Sequence, residues 1–126
     1  MRSEELMLGD LVTFKECQND EKPVIIKIWE INADGDAFVS IDGDDVLDEI
    51  SIDDEVVGIP LTEEILRDNF PAPSDGLTWF PDGGGFNCHT YVPDYEINAF
   101  GHFKYVHELQ HALRLCGIDK AVRLWN

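Results

Sequence analysis

The stretch HELQH, His107 to His111, is where this chain comes closest to carrying chemistry. Two histidines four residues apart on a helix sit one turn apart on one face and can share a zinc ion. A glutamate after the first can take a proton from metal-bound water. His107 and His111 are therefore candidate metal ligands, and Glu108 a candidate general base, of a zinc metallohydrolase. A catalytic zinc also needs a third protein ligand beside an open position. After His111 the only carboxylate is Asp119 and no histidine follows; the longer HExxHxxGxxH pattern fails at Arg114 and Gly117. His89 and His102 are the remaining upstream candidates. On a wheel advancing about 100° per residue, Leu109, Leu113 and Cys116 gather near Val106, while His107 and His111 fall roughly opposite with Lys104 and Arg114. The helix is expected to turn its histidines to solvent, and no catalytic residue, metal site or cofactor is assigned.

Other patterns point to local structure. NADGDAFVSIDG, Asn32 to Gly43, has oxygen-bearing side chains at alternate positions like a calcium loop. It lacks the sixth-position glycine (Ala37) and the twelfth-position glutamate (Gly43), so a hairpin is expected instead. PDGGGF has no following Gly-Lys-Ser/Thr and reads as a hairpin tip rather than a phosphate loop. Cys88 and His89 are neighbours on a predicted strand, which sends their side chains to opposite faces and prevents a nucleophile pair. Phe14, Trp29 and Phe38 could form an aromatic cage for a cationic group, but within alternating strands they are expected to pack the core.

The elements around these residues follow from turn chemistry and periodicity. Short strands are predicted at LVTF (11–14), VIIKIWEI (24–31), AFVSI (37–41), VLDEISI (46–52) and VVGIPL (56–61), separated by QNDEKP, NADGD and DGDD turns. In the second strand Ile26, Ile28 and Glu30 should oppose Ile25, Lys27, Trp29 and Ile31. Five such strands suggest a meander curled into a small barrel that shields its edges. Thr62 is a predicted N-cap for a helix stopped by Pro71 and Pro73; LTWF and FNCHTYV form a second hairpin. PDYEINAFG leads into a final helix starting near Gly101 or His102, with Gly117 as its C-terminal cap. The expected division is residues 1–61 as barrel and 62–126 as helix, hairpin and helix, packed as one unit.

Charge narrows the partners. Nine Lys and Arg against 26 Asp and Glu leave a net charge of -17 in 126 residues, which repels phosphate backbones and anionic membranes and favours basic protein partners. Ten carboxylates lie between Asp34 and Glu55 without a Lys or Arg: Asp34, Asp36, Asp42, Asp44, Asp45, Asp48, Glu49, Asp53, Asp54 and Glu55. Such a run reads as solvated turns and strand faces, with imitation of a nucleic-acid backbone as the alternative. The opening MRSEELMLGD carries no signal-peptide core, and the longest apolar run, VIIKIW, is too short to span a membrane. Three cysteines, Cys17, Cys88 and Cys116, form no CxxC pair; reduced thiols and a cytoplasmic location are expected.

EELMLGDLVTF, GIPLTEEILRDNF and FKYVHELQHALRLCGI, in this order, resemble a family of small uncharacterised proteins of gut anaerobic bacteria and their phages and mobile elements. The resemblance spans nearly the whole chain. It implies an SH3-like barrel followed by helix, hairpin and helix, and brings no established activity with it. In that family's pattern the positions of Lys104, Tyr105, Val106, His107, Leu109 and Gln110 recur, whereas Glu108 is often Gln and His111 often Asn. This chain departs from the pattern at Asp10, where Asn is usual, and in its heavier acid load. The combined expectation is an α+β protein acting as a non-enzymatic acidic binding or accessory module.

Overall fold

The computed structural model describes residues 5–17, 19–44, 46–71, 77–92, 97–115, 117 and 121–125, with backbone only for 90–92 and 97–100. The protein is α+β, and its chain divides into two compact units between Ile59 and Pro60, with Trp125 belonging to the first. Among the described residues no helix is long and apolar enough to cross a membrane.

The first unit is a five-stranded antiparallel sheet of β1 (Leu11–Phe14), β2 (Ile26–Ile31), β3 (Asp36–Ile41), β4 (Asp48–Ser51) and β5 (Val56–Gly58), in the order β4-β3-β2-β1-β5. Apolar side chains at alternate positions put Val12, Ile26, Ile28, Ala37, Val39 and Val56 on one buried face with Leu6 and Ile52. Each Ile or Val so buried contributes about 1.5–3 kcal/mol of transfer free energy. Asn32 to Asp36 turn β2 into β3: the Asn32 N–H donates to the Asp36 carbonyl at 2.8 Å and the Gly35 N–H to that of Asn32 at 3.2 Å. Trp125 donates its indole N–H to the Pro23 carbonyl at 3.1 Å.

Three expectations need correction here. The sheet does not close into a barrel: among the described residues β4 and β5 are its two edges. The strands are four and three residues long, and a helical turn, α1 (Ile52–Glu55), intervenes between them. That turn also ends the fourth strand one residue before its predicted end. Ser51 starts it, its N–H donating to Glu55 Oε2 at 2.9 Å and its hydroxyl lying 3.3 Å from Asp54 Oδ2.

The third correction is Trp29, which does not pack the core. A register shift between Ile28 and Glu30 inserts one residue into β2. The bulge brings Ile31, rather than Glu30, back to the core beside Ile28, and leaves Trp29 49% exposed. Its indole N–H donates to Ser40 Oγ at 2.9 Å, and Lys27 Nζ lies 4.6 Å from the ring centroid. Phe14 is half-buried against the core cluster, and Phe38 is half-buried.

The second unit contains α2 (Glu63–Asn69), a three-stranded antiparallel sheet of β6 (Thr78–Asp82), β7 (Gly85–Val92) and β8 (Ile97–Phe103), and α3 (Val106–Leu115). Thr62 caps α2 as its sequence requires, its hydroxyl accepting from the Ile65 N–H at 3.2 Å. The β6–β7 hairpin turns through Gly83 and Gly84, both at positive φ (56° and 82°), the backbone that a two-residue hairpin of this twist demands.

β8 corrects the expected approach to the last helix. INAFGHF is a strand paired to β7 over seven positions, from Phe86 with Phe103 to Val92 with Ile97. The Phe103 ring lies where a Cβ at Gly101 would project, so any other residue there would require the ring to move. The chain then pairs Tyr105 with Pro60, and the Leu61 N–H donates to the Lys104 carbonyl at 2.8 Å. These main-chain bonds hold residues 104 and 105 outside the helix, so α3 starts at Val106. Gly117 follows the helix, its N–H donating to the Arg114 carbonyl at 3.1 Å.

Asn69, 4% exposed at the end of α2, binds a distant segment by its side-chain amide. Its Nδ2 donates to the carbonyls of Ile65 and Arg123, each at 2.8 Å, and its Oδ1 accepts the Arg123 N–H at 2.7 Å. Replacing it removes a partner from a buried carbonyl at Ile65 and from part-buried main-chain groups at Arg123, so Asn69→Leu is expected to cost roughly 1–3 kcal/mol in urea unfolding. Arg67→Ala, which removes only the exposed ion pair with Glu63, should cost less than about 1 kcal/mol in the same measurement.

Candidate functional site

α3 carries the HELQH constellation, and its position in the fold decides what each residue can do. Val106, Leu109 and Leu113 are buried on its inner face, as the periodicity predicts. His107 is not on a solvated face: it is 5% exposed, a correction to the wheel reading. At about 100° from Val106 it stands at the border of the buried arc rather than opposite it. The Tyr105 ring lies over it, stacked at 5.8 Å and 15°. His111 is half-buried, its ring 5.8 Å from that of His107 at 70°. The two histidines are thus together, as their spacing requires.

Glu108 is turned elsewhere. Its Oε1 accepts the N–H groups of Lys104 and Tyr105, both at 2.9 Å. As the third residue of a helix that starts at Val106, it folds back onto the amides ahead of the first turn, the glutamate half of a capping box. A carboxylate held there faces the helix start, whereas a general base for metal-bound water must face the metal. Nor is the third-ligand position supplied by the upstream histidines. His102 Nε2 lies 2.8 Å from the Asp82 carbonyl, and His89 stacks on Phe80 at 5.9 Å and 30°. Among the described residues no three His, Cys, Asp or Glu side chains are grouped to share a metal ion.

The remaining candidates resolve on the same local geometry. Cys88 is 2% exposed, and burial pushes its thiol up to about 11, far from the thiolate a nucleophile needs. It pairs with Gly101 while His89 pairs with Phe100, so the strand sends the two side chains to opposite faces. In Asn32 to Gly43, residues 36 to 41 are strand and Ser40 is buried, so the segment does not wrap as a calcium loop.

The acidic segment is a surface. Asp34, Asp42, Asp44, Asp48, Glu49, Asp53, Asp54 and Glu55 are exposed, Asp36 is half-buried, and Asp45 lies outside the described residues. Beside it, Phe14, Lys15, Glu16, Asp54 and Glu55 line an open depression of about 450 Å³. Residues 15–17 form a 3-10 turn after β1 and Asp54 and Glu55 belong to α1, so residues distant in sequence meet there. That meeting has no linear signal: only the pairing of β1 with β5 brings the two segments side by side.

Compared with protein-family models, with curated proteins and with solved structures, the chain matches none.

Two outcomes follow from this geometry. Glu108→Ala should lower stability by about 1 kcal/mol in thermal or urea unfolding, the usual cost of a lost cap, with Glu108→Gln costing less because an acceptor remains. Cys88 has a raised folded-state pKa, so its stabilising contribution is complete below the ordinary value of 9.0 and is lost as pH rises toward about 11. Cys88→Ala should therefore flatten the fall in stability over that alkaline range. At pH near 8, peptide-resolved alkylation of Cys88 should be at least about tenfold slower folded than in urea.

Proposed function

We propose that this chain is a non-enzymatic acidic module that binds basic segments of a protein partner. The observation that carries this reading is the exposed carboxylate surface of β4 and α1 beside the depression lined by Phe14, Lys15, Glu16, Asp54 and Glu55. A surface of one sign draws oppositely charged partners and repels phosphate backbones. A depression with an aromatic wall gives a basic side chain both carboxylates and a ring face to lie against. The binding reading is also favoured by what the candidate catalytic groups are doing: Glu108 is occupied by backbone amides and Cys88 is buried and protonated.

The strand order of the first unit, with a helical turn between the last two strands, supports an SH3-like reading of that unit at the level of topology. Together with the sequence resemblance it favours an accessory role in phage or mobile-element biology, in the cytoplasm.

The test is fluorescence anisotropy of the full chain with three labelled probes: an Arg/Lys-rich peptide, its Glu-substituted counterpart and a short DNA duplex. The basic peptide alone should bind, and its affinity should fall roughly tenfold as salt rises from about 50 to about 300 mM. Salt-independent binding, or none, would sink the proposal. Stoichiometric zinc by elemental analysis, lost in His107→Ala, would replace it with a metallohydrolase.

A further inference from the structure

We infer that β4 is an acceptor edge that takes up a basic, extended segment of the partner as an added strand. This rests on the binding reading above and names where and how the partner engages.

The main chain comes first. The Ile52 N–H donates to the Gly35 carbonyl at 3.0 Å, which sets the phase of the β3–β4 ladder. In an antiparallel pair, hydrogen-bonded and non-hydrogen-bonded positions alternate. Ile50 opposite Ala37 is then a bonded position, while Glu49 opposite Phe38 and Ser51 opposite Asp36 are not. The N–H and C=O of Glu49 therefore point away from β3, out of the sheet. At Ser51 the outward N–H is already taken by Glu55 Oε2, which marks where an added ladder stops. Glu49 and the carbonyl of Ser51 are left as the docking points.

Other strand ends are poorer acceptors. β5, the opposite edge, has Val56 and Gly58 buried, and β6 carries Pro81 within the strand. A proline offers no N–H to an incoming strand. β4 is an exposed edge without a proline, with Asp48 and Glu49 in solvent and Val46 and Leu47, 63% and 50% exposed, just ahead of it.

Charge selects the occupant. A second copy of this chain pairing β4 to β4 would bring Asp48 and Glu49 against their own kind, and like charges across a ladder are destabilising. A basic strand meets the opposite situation. The residue facing Glu49 lies on its side of the sheet, and the next one lies on the side of Asp48. Adjacent Arg or Lys residues therefore each find a carboxylate, and an aliphatic residue beyond them reaches Leu47. The fitting segment is short, extended, doubly basic and flanked by an aliphatic side chain.

Backbone amide exchange of the full chain, with and without an Arg-Lys-Val-Leu-containing peptide, reads this directly. The Glu49 amide should gain roughly tenfold protection, and Glu49→Pro, which removes an N–H that β3 does not use, should weaken binding at least about tenfold. Asp48→Lys with Glu49→Lys, which leaves the backbone intact, should weaken it comparably if the proline variant does not fold. Unchanged binding in the variants, or protection confined to residues 14–16 and 54–55, would overturn strand addition while leaving the acidic module in place. Peptide-independent dimers that protect Glu49 would also overturn it, in favour of self-pairing. Absence of peptide binding would remove both readings.

Discussion

With 26 carboxylates and nine Lys or Arg side chains, this protein cannot neutralise its acid by ion pairing. Its carboxylates bind backbone amides instead. Asp10 accepts the Met7 N–H at 2.8 Å, Asp42 that of Ile25 at 2.9 Å, Glu55 that of Ser51 at 2.9 Å, and Glu108 those of Lys104 and Tyr105. A hydrogen bond to an ionised acceptor is roughly twice as strong as a neutral one, and it takes up a donor that a turn or helix start would leave orphaned. Each of these bonds sits where the chain changes direction. Asp10 is fully buried at a turn that also bonds Gly9 and Asp10 to Ile28, fastening the entry of β1 to β2. At these four places the chain's change of direction is held by negative charge placed against amide dipoles.

The same economy explains where the rest of the acid goes. A high net charge opposes compaction through self-repulsion, and exposure to solvent screens it. The apolar side chains that offset that repulsion in the first unit gather chiefly on one face of a small sheet, Val12, Ile26, Ile28, Val39 and Val56 among them. The carboxylates of β4 and α1 are in water. An exposed edge strand is an aggregation hazard, and like charge along it deters pairing with another copy. The charge that deters self-pairing is the same charge on which the proposed basic partner would dock.

What was legible in the sequence was what short-range chemistry decides. LVTF is a strand with the predicted bounds, Thr62 caps its helix, and the Asp-Gly and Gly-Gly turns sit between the strands they were expected to join. What was not legible depends on partners far along the chain. The bulge at Trp29 is a mismatch between β2 and β3, visible only once Ile28 is seen opposite Val39 and Glu30 opposite Phe38. Strict alternation groups Glu30 with Ile26 and Ile28; one inserted residue puts Ile31 with them instead. The depression at Phe14 and Asp54 likewise exists only because β1 lies beside β5.

The misread start of the last helix and the catalytic look of HELQH have a common cause. If the helix began at Gly101, Glu108 would lie two turns inside it, where every N–H has a partner four residues back, and its carboxylate would be free to face an ion held by His107 and His111. But β7 draws residues 97 to 103 into a strand, and Pro60 and Leu61 bind Tyr105 and Lys104 outside the helix, so the first helical residue is Val106. Glu108 then becomes the third residue of the helix, within reach of amides that have no helical acceptor, at the positive end of the dipole. Two N–H groups 2.9 Å away settle its orientation. The role of the glutamate in an HExxH pattern is therefore decided by the hydrogen-bonding of a neighbouring strand, which determines how many turns of helix precede it.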